Sequence, residues 1–325
     1  MRFTQPLIRL PIRVCADTLA SEIAALPQTA WVPHPNKFPG NDAVRLITPG
    51  GRATDELEGS MAPTEHLRAC PYILDIMANL GGTWGRSRLM GLAAGAEVPA
   101  HIDSHYYWRT HLRIHIPVIT NPNVAFTCGG KTVHMAPGEC WVFDSFQRHE
   151  VHNRGSEHRV HLVIDTVGGR RLWELIEQAQ SDDPGGEPQL VERGQAGRAP
   201  MLFERINSPK VMSPWEMRCH IRLLEDEAQP HALLDKVLKR LDRLVHEWGA
   251  LWASYESSSE AVQLFQGLLS EARRDLSALD GQGILLKNDL PLYHVLSRLV
   301  FEVALAPVTE PPKSSNGFLA ARRIG

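Results

Sequence analysis

Leu112-Arg113-Ile114-His115-Ile116-Pro117 and Arg159-Val160-His161-Leu162-Val163-Ile164-Asp165 are the two stretches on which the fold turns. In each, apolar residues take alternate positions while Arg and His share positions between them, the period of a β-strand with two unlike faces. A surface strand shows this alternation. So does a strand of a small barrel whose interior is polar and whose apolar outer face packs on helices. Short runs at 124–128, 131–135 and 139–143, separated by Asn-Pro, Gly-Gly and Pro-Gly, add further strands and point to a sandwich or barrel.

Helices to cover the apolar faces lie upstream. Leu19, Ile23 and Leu26 follow Asp17 at helical spacing, and Tyr72, Ile73, Ile76, Met77 and Leu80 follow Pro71 in the same way. Residues 170–180 predict a short closing helix. The stretch 181–200, with four Gly and three Pro, predicts a linker or a long loop.

Beyond it the pattern becomes helical. Ser213-Pro214-Trp215-Glu216 has the form of a capping box with proline at the first helical position. Leu234, Val237, Leu238, Leu241, Leu244, Val245, Trp248, Leu251 and Trp252 recur at three- and four-residue spacing. Ser257 and Glu260 open a further helix, and a fourth is predicted over Leu290–Leu305. The expected organisation is a domain over 1–180 with its core at about 87–168, a linker over 181–200, an all-α bundle over 201–306 and a loose polar tail over 307–325.

The histidines mark the place of the chemistry. Nine of the 15 fall between residues 101 and 161. Within that segment His101-Ile102-Asp103 is followed by His149 and then Arg159. Residues i and i+2 of a strand point the same way, so one strand end can present an imidazole and a carboxylate together. A second imidazole from a later strand completes three ligands on one face of an octahedron, a set that suits iron(II) and leaves open positions for oxygen. A lone His-x-Asp more often marks a surface turn. Arg159 adds weight, because a guanidinium inside a barrel is costly unless it meets an anion, and its planar fork matches a carboxylate.

The stretch from Pro99 to Asp165 resembles the aspartyl/asparaginyl β-hydroxylase family, which includes bacterial proline 3-hydroxylase. The matching segments are Leu112-Arg113-Ile114-His115, Val133-His134-Met135-Ala136-Pro137-Gly138-Glu139, Phe143-Asp144-Ser145-Phe146 with His149-Glu150-Val151, and Arg159 to Asp165. Leu57-Glu58-Gly59-Ser60-Met61-Ala62-Pro63-Thr64 resembles the bacterial proline enzyme, and the likeness covers about residues 45–168. The resemblance implies a mainly β fold with α, a double-stranded β-helix (jelly-roll, cupin-like) flanked by helices. It implies an Fe(II)/2-oxoglutarate-dependent dioxygenase that uses O2 to hydroxylate a C–H bond of an Asp-, Asn- or Pro-like amino acid, or of such a residue in a peptide. On this reading His101, Asp103 and His149 hold the metal, and Arg159 meets the distal carboxylate of 2-oxoglutarate. His115 lies by its chelating carboxylate, and Arg113 holds a substrate carboxylate. Met90 stands where the vertebrate enzymes place a serine that helps bind 2-oxoglutarate.

Two other readings are open at this point: a cupin-like metalloenzyme without 2-oxoglutarate, and a non-catalytic binding module with a helical interaction domain. Arg109-Thr110-His111 repeats the Arg-x-His pattern, but spacing to the later strands favours Arg113 and His115. His105, Tyr106, Tyr107 and Trp108 read either as a pocket wall or as an exposed aromatic loop, and Asp144 as the cap of the turn before His149.

Composition sets outer bounds. The 325 residues carry 34 Lys and Arg against 37 Asp and Glu, a net charge of −3, which leaves no footprint for nucleic acid. There is no run of eighteen apolar residues to span a membrane. The five cysteines are widely spaced without a Cys-x-x-Cys pair, and the N-terminus lacks a signal-peptide pattern, so a cytoplasmic protein with reduced thiols is expected. The C-terminal helices offer a surface for self-association or a partner.

Overall fold

The computed structural model describes residues 3, 5–35, 37–181, 186–194, 196–197, 200–256, 259–279 and 281–306. The N-terminal part contributes strand β1 (Leu7–Arg13), helix α1 (Ala16–Ala24), β2 (Val32–Pro33), β3 (Asn41–Pro49), β4 (Met61–Pro63), α2 (Glu65–Arg68) and α3 (Pro71–Leu80). Pro71 opens α3 at its first helical position, and Gly81 ends it in the left-handed region at φ 66°, its N–H donating to the Met77 carbonyl.

Eight strands then build the core: β5 (Thr83–Leu92), β6 (Glu97–His101), β7 (Leu112–Ile119), β8 (Val124–Cys128), β9 (Lys131–Val133), β10 (Glu139–Phe143), β11 (His149–Asn153) and β12 (Arg159–Gly168), with the short helix α4 (Tyr106–Thr110) between β6 and β7. They divide between two sheets, β5, β7, β10 and β12 in one and β6, β8, β9 and β11 in the other. The larger runs β1-β10-β7-β12-β5-β3-β2 with three short strands paired to it, and the smaller runs β6-β11-β8-β9. This is a double-stranded β-helix with extra strands on its major sheet.

The alternation of β7 and β12 is resolved in favour of a barrel wall. Leu112, Ile114 and Ile116, with Val160, Leu162 and Ile164, are buried in one apolar core together with Leu19, Ile23, Ile73, Ile76, Met77, Leu172 and Ile176 from the helices. Each such aliphatic side chain contributes about 1.5–3 kcal/mol relative to exposure. The polar positions are buried as well: His115, Arg159, His161 and Asp165 are all under 9% exposed. They face the space between the sheets, where Leu92, Phe126, Phe143 and Val151 belong to a second, smaller apolar cluster.

Helix α5 (Arg170–Gln180) closes this part as expected. The stretch foreseen as a linker is docked where it is described. Gly194 and Ala196 donate backbone N–H groups to Asp75, β13 (Gln189–Leu190) pairs with β1, and β14 (Leu202–Phe203) pairs with β5. Backbone hydrogen bonding, which composition does not reveal, holds the Gly- and Pro-rich segment on the barrel.

The C-terminal helices are α6 (Pro214–Glu227), α7 (Leu234–Tyr255), α8 (Val262–Ala278) and α9 (Leu292–Leu296). Ser213 caps α6 through its hydroxyl, which accepts from the Glu216 N–H at 3.2 Å. The helix expected over 290–305 is shorter: α9 has five residues and passes into a π-helical turn, Ser297–Phe301. Ser257 and the tail from 307 lie outside the described residues. No described helix is long and apolar enough to cross a membrane.

Candidate active site

His101 and His149 are direct register partners at the edge where β6 meets β11. Antiparallel pairing places their rings 4.2 Å apart between centroids. Asp103 leaves β6 two residues after His101, and its N–H donates to the Ser145 carbonyl at 3.0 Å, tying the loop after β6 to the loop before β11. Ligand atoms of the three side chains lie within 4.8 Å of one another.

The tautomers are set by the backbone. His101 Nδ1 is 2.8 Å from the Pro99 carbonyl and His149 Nδ1 is 2.9 Å from the Gln147 carbonyl. Both bonds need Nδ1–H, which leaves each Nε2 as a lone pair toward a metal. Burial, which outweighs the nearby Asp103 charge, pushes the His149 pKa down to about 4, so the ring is neutral at physiological pH, as a ligand must be. Two neutral imidazoles and a carboxylate fit a divalent iron with open positions.

A cavity of about 340 Å³ opens beside this group and is lined by Arg159, His115, Arg113, Trp108, Met90, Arg86, Arg88 and Arg298 as well. Arg159 is 4% exposed. Its Nη2 reaches His161 Nδ1 at 2.6 Å, its buried Nε has no partner, and no described carboxylate pairs with it. Burial lowers its pKa to about 9. His115 packs edge-on to Phe126 and Phe143, with a buried, unpartnered Nδ1. Burial, reinforced by the Arg159 charge, holds this histidine neutral well below its ordinary range.

Arg113 lines the same cavity. Its Nε donates to Asp165 and its Nη1 to Asp103, both at 3.0 Å, and its guanidinium lies 3.9 Å over the Trp108 ring. Burial alone would lower its pKa, but Asp165 and Asp103 hold it above the ordinary arginine value. Arg113 thereby orients Asp103 as well as lining the cavity.

The other residues singled out in the sequence also find their places. His111 turns away from the cavity to Glu204 at 3.0 Å, so Arg113 and His115 form the inward-facing Arg-x-His pair. Of the aromatic run, Trp108 lines the cavity, Tyr107 is buried in the barrel core and Tyr106 in the helical bundle. Asp144 Oδ1 caps the turn by accepting from the Phe146 N–H. His134 is near the Val124 carbonyl, while His152 and His158 pair with Glu97 and Asp42.

Several lining residues escaped sequence reasoning. Arg86 and Arg88 repeat on β5 the i, i+2 pattern used for Arg113 and His115, and that signal was available. Asp55 pairs with Arg88 at 2.7 Å and with Arg45, while Arg298 comes from the far end of the chain. These contacts join distant segments and leave no local mark. Five arginines outnumber three aspartates around the cavity, a charge balance that favours anionic occupants.

Comparison with known proteins follows the same lines. Residues 55–168 match the family described as Aspartyl/Asparaginyl beta-hydroxylase. Among curated proteins, none matches. Solved structures similar to this chain include a Burkholderia pseudomallei oxidoreductase of the 2OG-Fe(II) oxygenase family, 14% identical over 48% of this chain and 80% of that one, TM-score 0.37. A Pseudomonas putida prolyl-4-hydroxylase is 15% identical over 51% and 94%, TM-score 0.34. A Trichoplax adhaerens prolyl hydroxylase, in complex with a hypoxia inducible factor oxygen degradation domain peptide fragment, is 13% identical over 53% and 87%, TM-score 0.37.

Proposed function

We propose, from the aspartyl/asparaginyl β-hydroxylase domain that residues 55–168 carry, that this chain is a mononuclear Fe(II)/2-oxoglutarate-dependent hydroxylase acting on an amino acid or on an amino-acid residue of a peptide. The observation that carries the reading is Arg159: a guanidinium buried in the same cavity as the His101–Asp103–His149 group, with no carboxylate partner among the described residues. A buried unpaired cation is costly, and a dicarboxylate reaching from the metal to Arg159 would satisfy it. A cupin-like metalloenzyme without 2-oxoglutarate has no use for that cation.

His101, Asp103 and His149 would hold the iron, the two histidines through Nε2. When bound together, iron and 2-oxoglutarate supply oxidative decarboxylation coupled to hydroxylation of a C–H bond, with succinate and CO2 as products. Arg159 would fix the distal carboxylate of the co-substrate through charge-assisted hydrogen bonds. His115, neutral and unpartnered at Nδ1, would lie beside the chelating carboxylate. Arg113 and Trp108 would form the substrate side of the cavity, with Arg113 positioned to receive a substrate carboxylate. The substrate classes that fit are Asp-, Asn- and Pro-like amino acids, free or within a peptide.

The test is spectroscopic. Anaerobic addition of Fe(II) and 2-oxoglutarate is expected to produce the weak visible charge-transfer band of a bidentate chelate. Metal-loaded, folded protein without that band would rule the oxygenase reading out. A screen of amino acids and short peptides for substrate-stimulated succinate formation then identifies the substrate.

A further inference from the structure

We propose that the C-terminal helical bundle is a positioning element of the metal site and acts on it through Tyr106 and Asn288. The inference rests on the metal site proposed above. Two loops carry or lead into the candidate ligands, and each is anchored in the bundle three residues from one of them.

At the start of α4, where the loop after β6 ends, Tyr106 is buried in the bundle's apolar core and its hydroxyl donates to Glu216 Oε1. On the loop before β11, Phe146 is buried in the same core, and its carbonyl accepts from Asn288 Nδ2 at 2.9 Å. Ile102, between His101 and Asp103, packs against that core too. The bond from the Asp103 N–H to the Ser145 carbonyl joins the two loops. The ligand-bearing segments are thus held from the bundle side, while β6 and β11 hold them only at one end.

The bundle's own geometry is adapted to these contacts. Glu216 occupies the capping-box position of α6, yet its carboxylate accepts from Tyr106 on the barrel. Asn288 is 9% exposed, its Oδ1 is fixed by the Leu290 N–H, and Asp289 beside it adopts a left-handed φ of 66° that turns the chain. The bundle also reaches the cavity itself, through Arg298 on the π-helical turn. Partners bonded directly to metal ligands are worth about 10- to 100-fold in affinity, and Tyr106 and Asn288, which act on the ligands through the loop backbone, stand at the low end of that range.

The experiment uses the full chain and Co(II) as a spectroscopic probe, with hydrogen exchange measured on the same samples. Tyr106→Phe and Asn288→Ala are expected to bind Co(II) about ten-fold more weakly than the parent. Their ligand-field bands should shift, and amides at 102–106 and 145–149 should exchange faster, with β5, β7 and β12 unchanged. Glu216→Gln, which keeps an acceptor for the Tyr106 hydroxyl, is expected to retain the parental spectrum and affinity. Folded Tyr106→Phe and Asn288→Ala proteins with parental Co(II) affinity and spectrum would overturn the positioning role. Should Asn288→Ala not fold, Tyr106→Phe, which keeps the ring in the core, decides the matter alone. A parent chain that binds no Co(II) refutes the metal site itself, an outcome distinct from equal binding by parent and variant.

Discussion

His101 and His149 face each other across the β6–β11 ladder, and each fixes its Nδ1 on the carbonyl two residues before it, Pro99 and Gln147 respectively. Strand register brings the rings together, and the local turn chooses the tautomer. The pair therefore presents two Nε2 lone pairs without help from a second side chain.

Removing either ring is expected to remove metal binding. His101→Ala and His149→Ala should each lower Fe(II) affinity by about 100-fold or more, an estimate that extends the effect known for outer-shell partners to a direct ligand. Asp103→Ala should do the same and additionally leave Arg113 short of one of its two carboxylates. Anaerobic metal titration with a chelator competitor measures this. Wild-type affinity in any of the three would remove that residue from the ligand set.

Arg159→Met separates co-substrate binding from stability. Losing a charge-assisted contact of about 1.5–3 kcal/mol should weaken 2-oxoglutarate binding by about 10- to 150-fold while leaving metal content unchanged. The metal-free protein should melt at the same temperature as the parent or higher, because an unpaired buried cation has been replaced by an apolar chain. Calorimetric titration and thermal unfolding provide the two readouts, and unchanged 2-oxoglutarate affinity would contradict the assignment.

Arg113→Lys is expected to be damaging although it keeps the charge. A lysine ammonium cannot reproduce the planar fork that meets Asp165 and Asp103 while lying flat on Trp108. Substrate KM should rise by about ten-fold or more, as expected for a bidentate contact, with a smaller change in the KM for 2-oxoglutarate. A variant indistinguishable from the parent in steady-state kinetics would show that this guanidinium does not meet the substrate.

Asp55 provides a pH-dependent prediction. Its hydrogen bond from Arg45, with the Arg88 charge assisting against burial, holds its carboxyl below the ordinary range. The folded state therefore binds the proton less readily than the unfolded chain. The stabilisation is present above the ordinary carboxylate pKa and is lost as pH falls through the lowered folded value. Asp55→Asn should destabilise the protein by on the order of 1–2 kcal/mol at neutral pH, with the gap to the parent shrinking in acid. Unfolding midpoints measured between neutral pH and pH 3 test the sign.

The candidate site was legible where neighbours in sequence are also neighbours on one face. His101 with Asp103, Arg113 with His115, and Arg159 with His161 are all i, i+2 pairs on strands, and the period of two makes them visible. Arg86 and Arg88 obey the same rule. Asp55, Arg45 and Arg298 do not, since each joins the cavity or its rim from a separate segment. The fourth C-terminal helix was read too long because apolar spacing persists through Leu299 and Val300, while the backbone there widens into a π-helical turn.

The amino-acid sequence by itself determined the local periods: where strands alternate, where helices begin, and which segment gathers the imidazoles. Those properties follow from side-chain direction and backbone sterics over a few residues. Tertiary structure decided which face of β7 and β12 meets the cavity, and that Arg159 is buried without a carboxylate while Arg113 has two. It also decided that the Gly- and Pro-rich stretch docks, and that Tyr106 and Phe146 belong to the helical core rather than the barrel. These depend on burial and on pairing between residues far apart in the chain, and both are set only once the two sheets and the bundle have closed on one another.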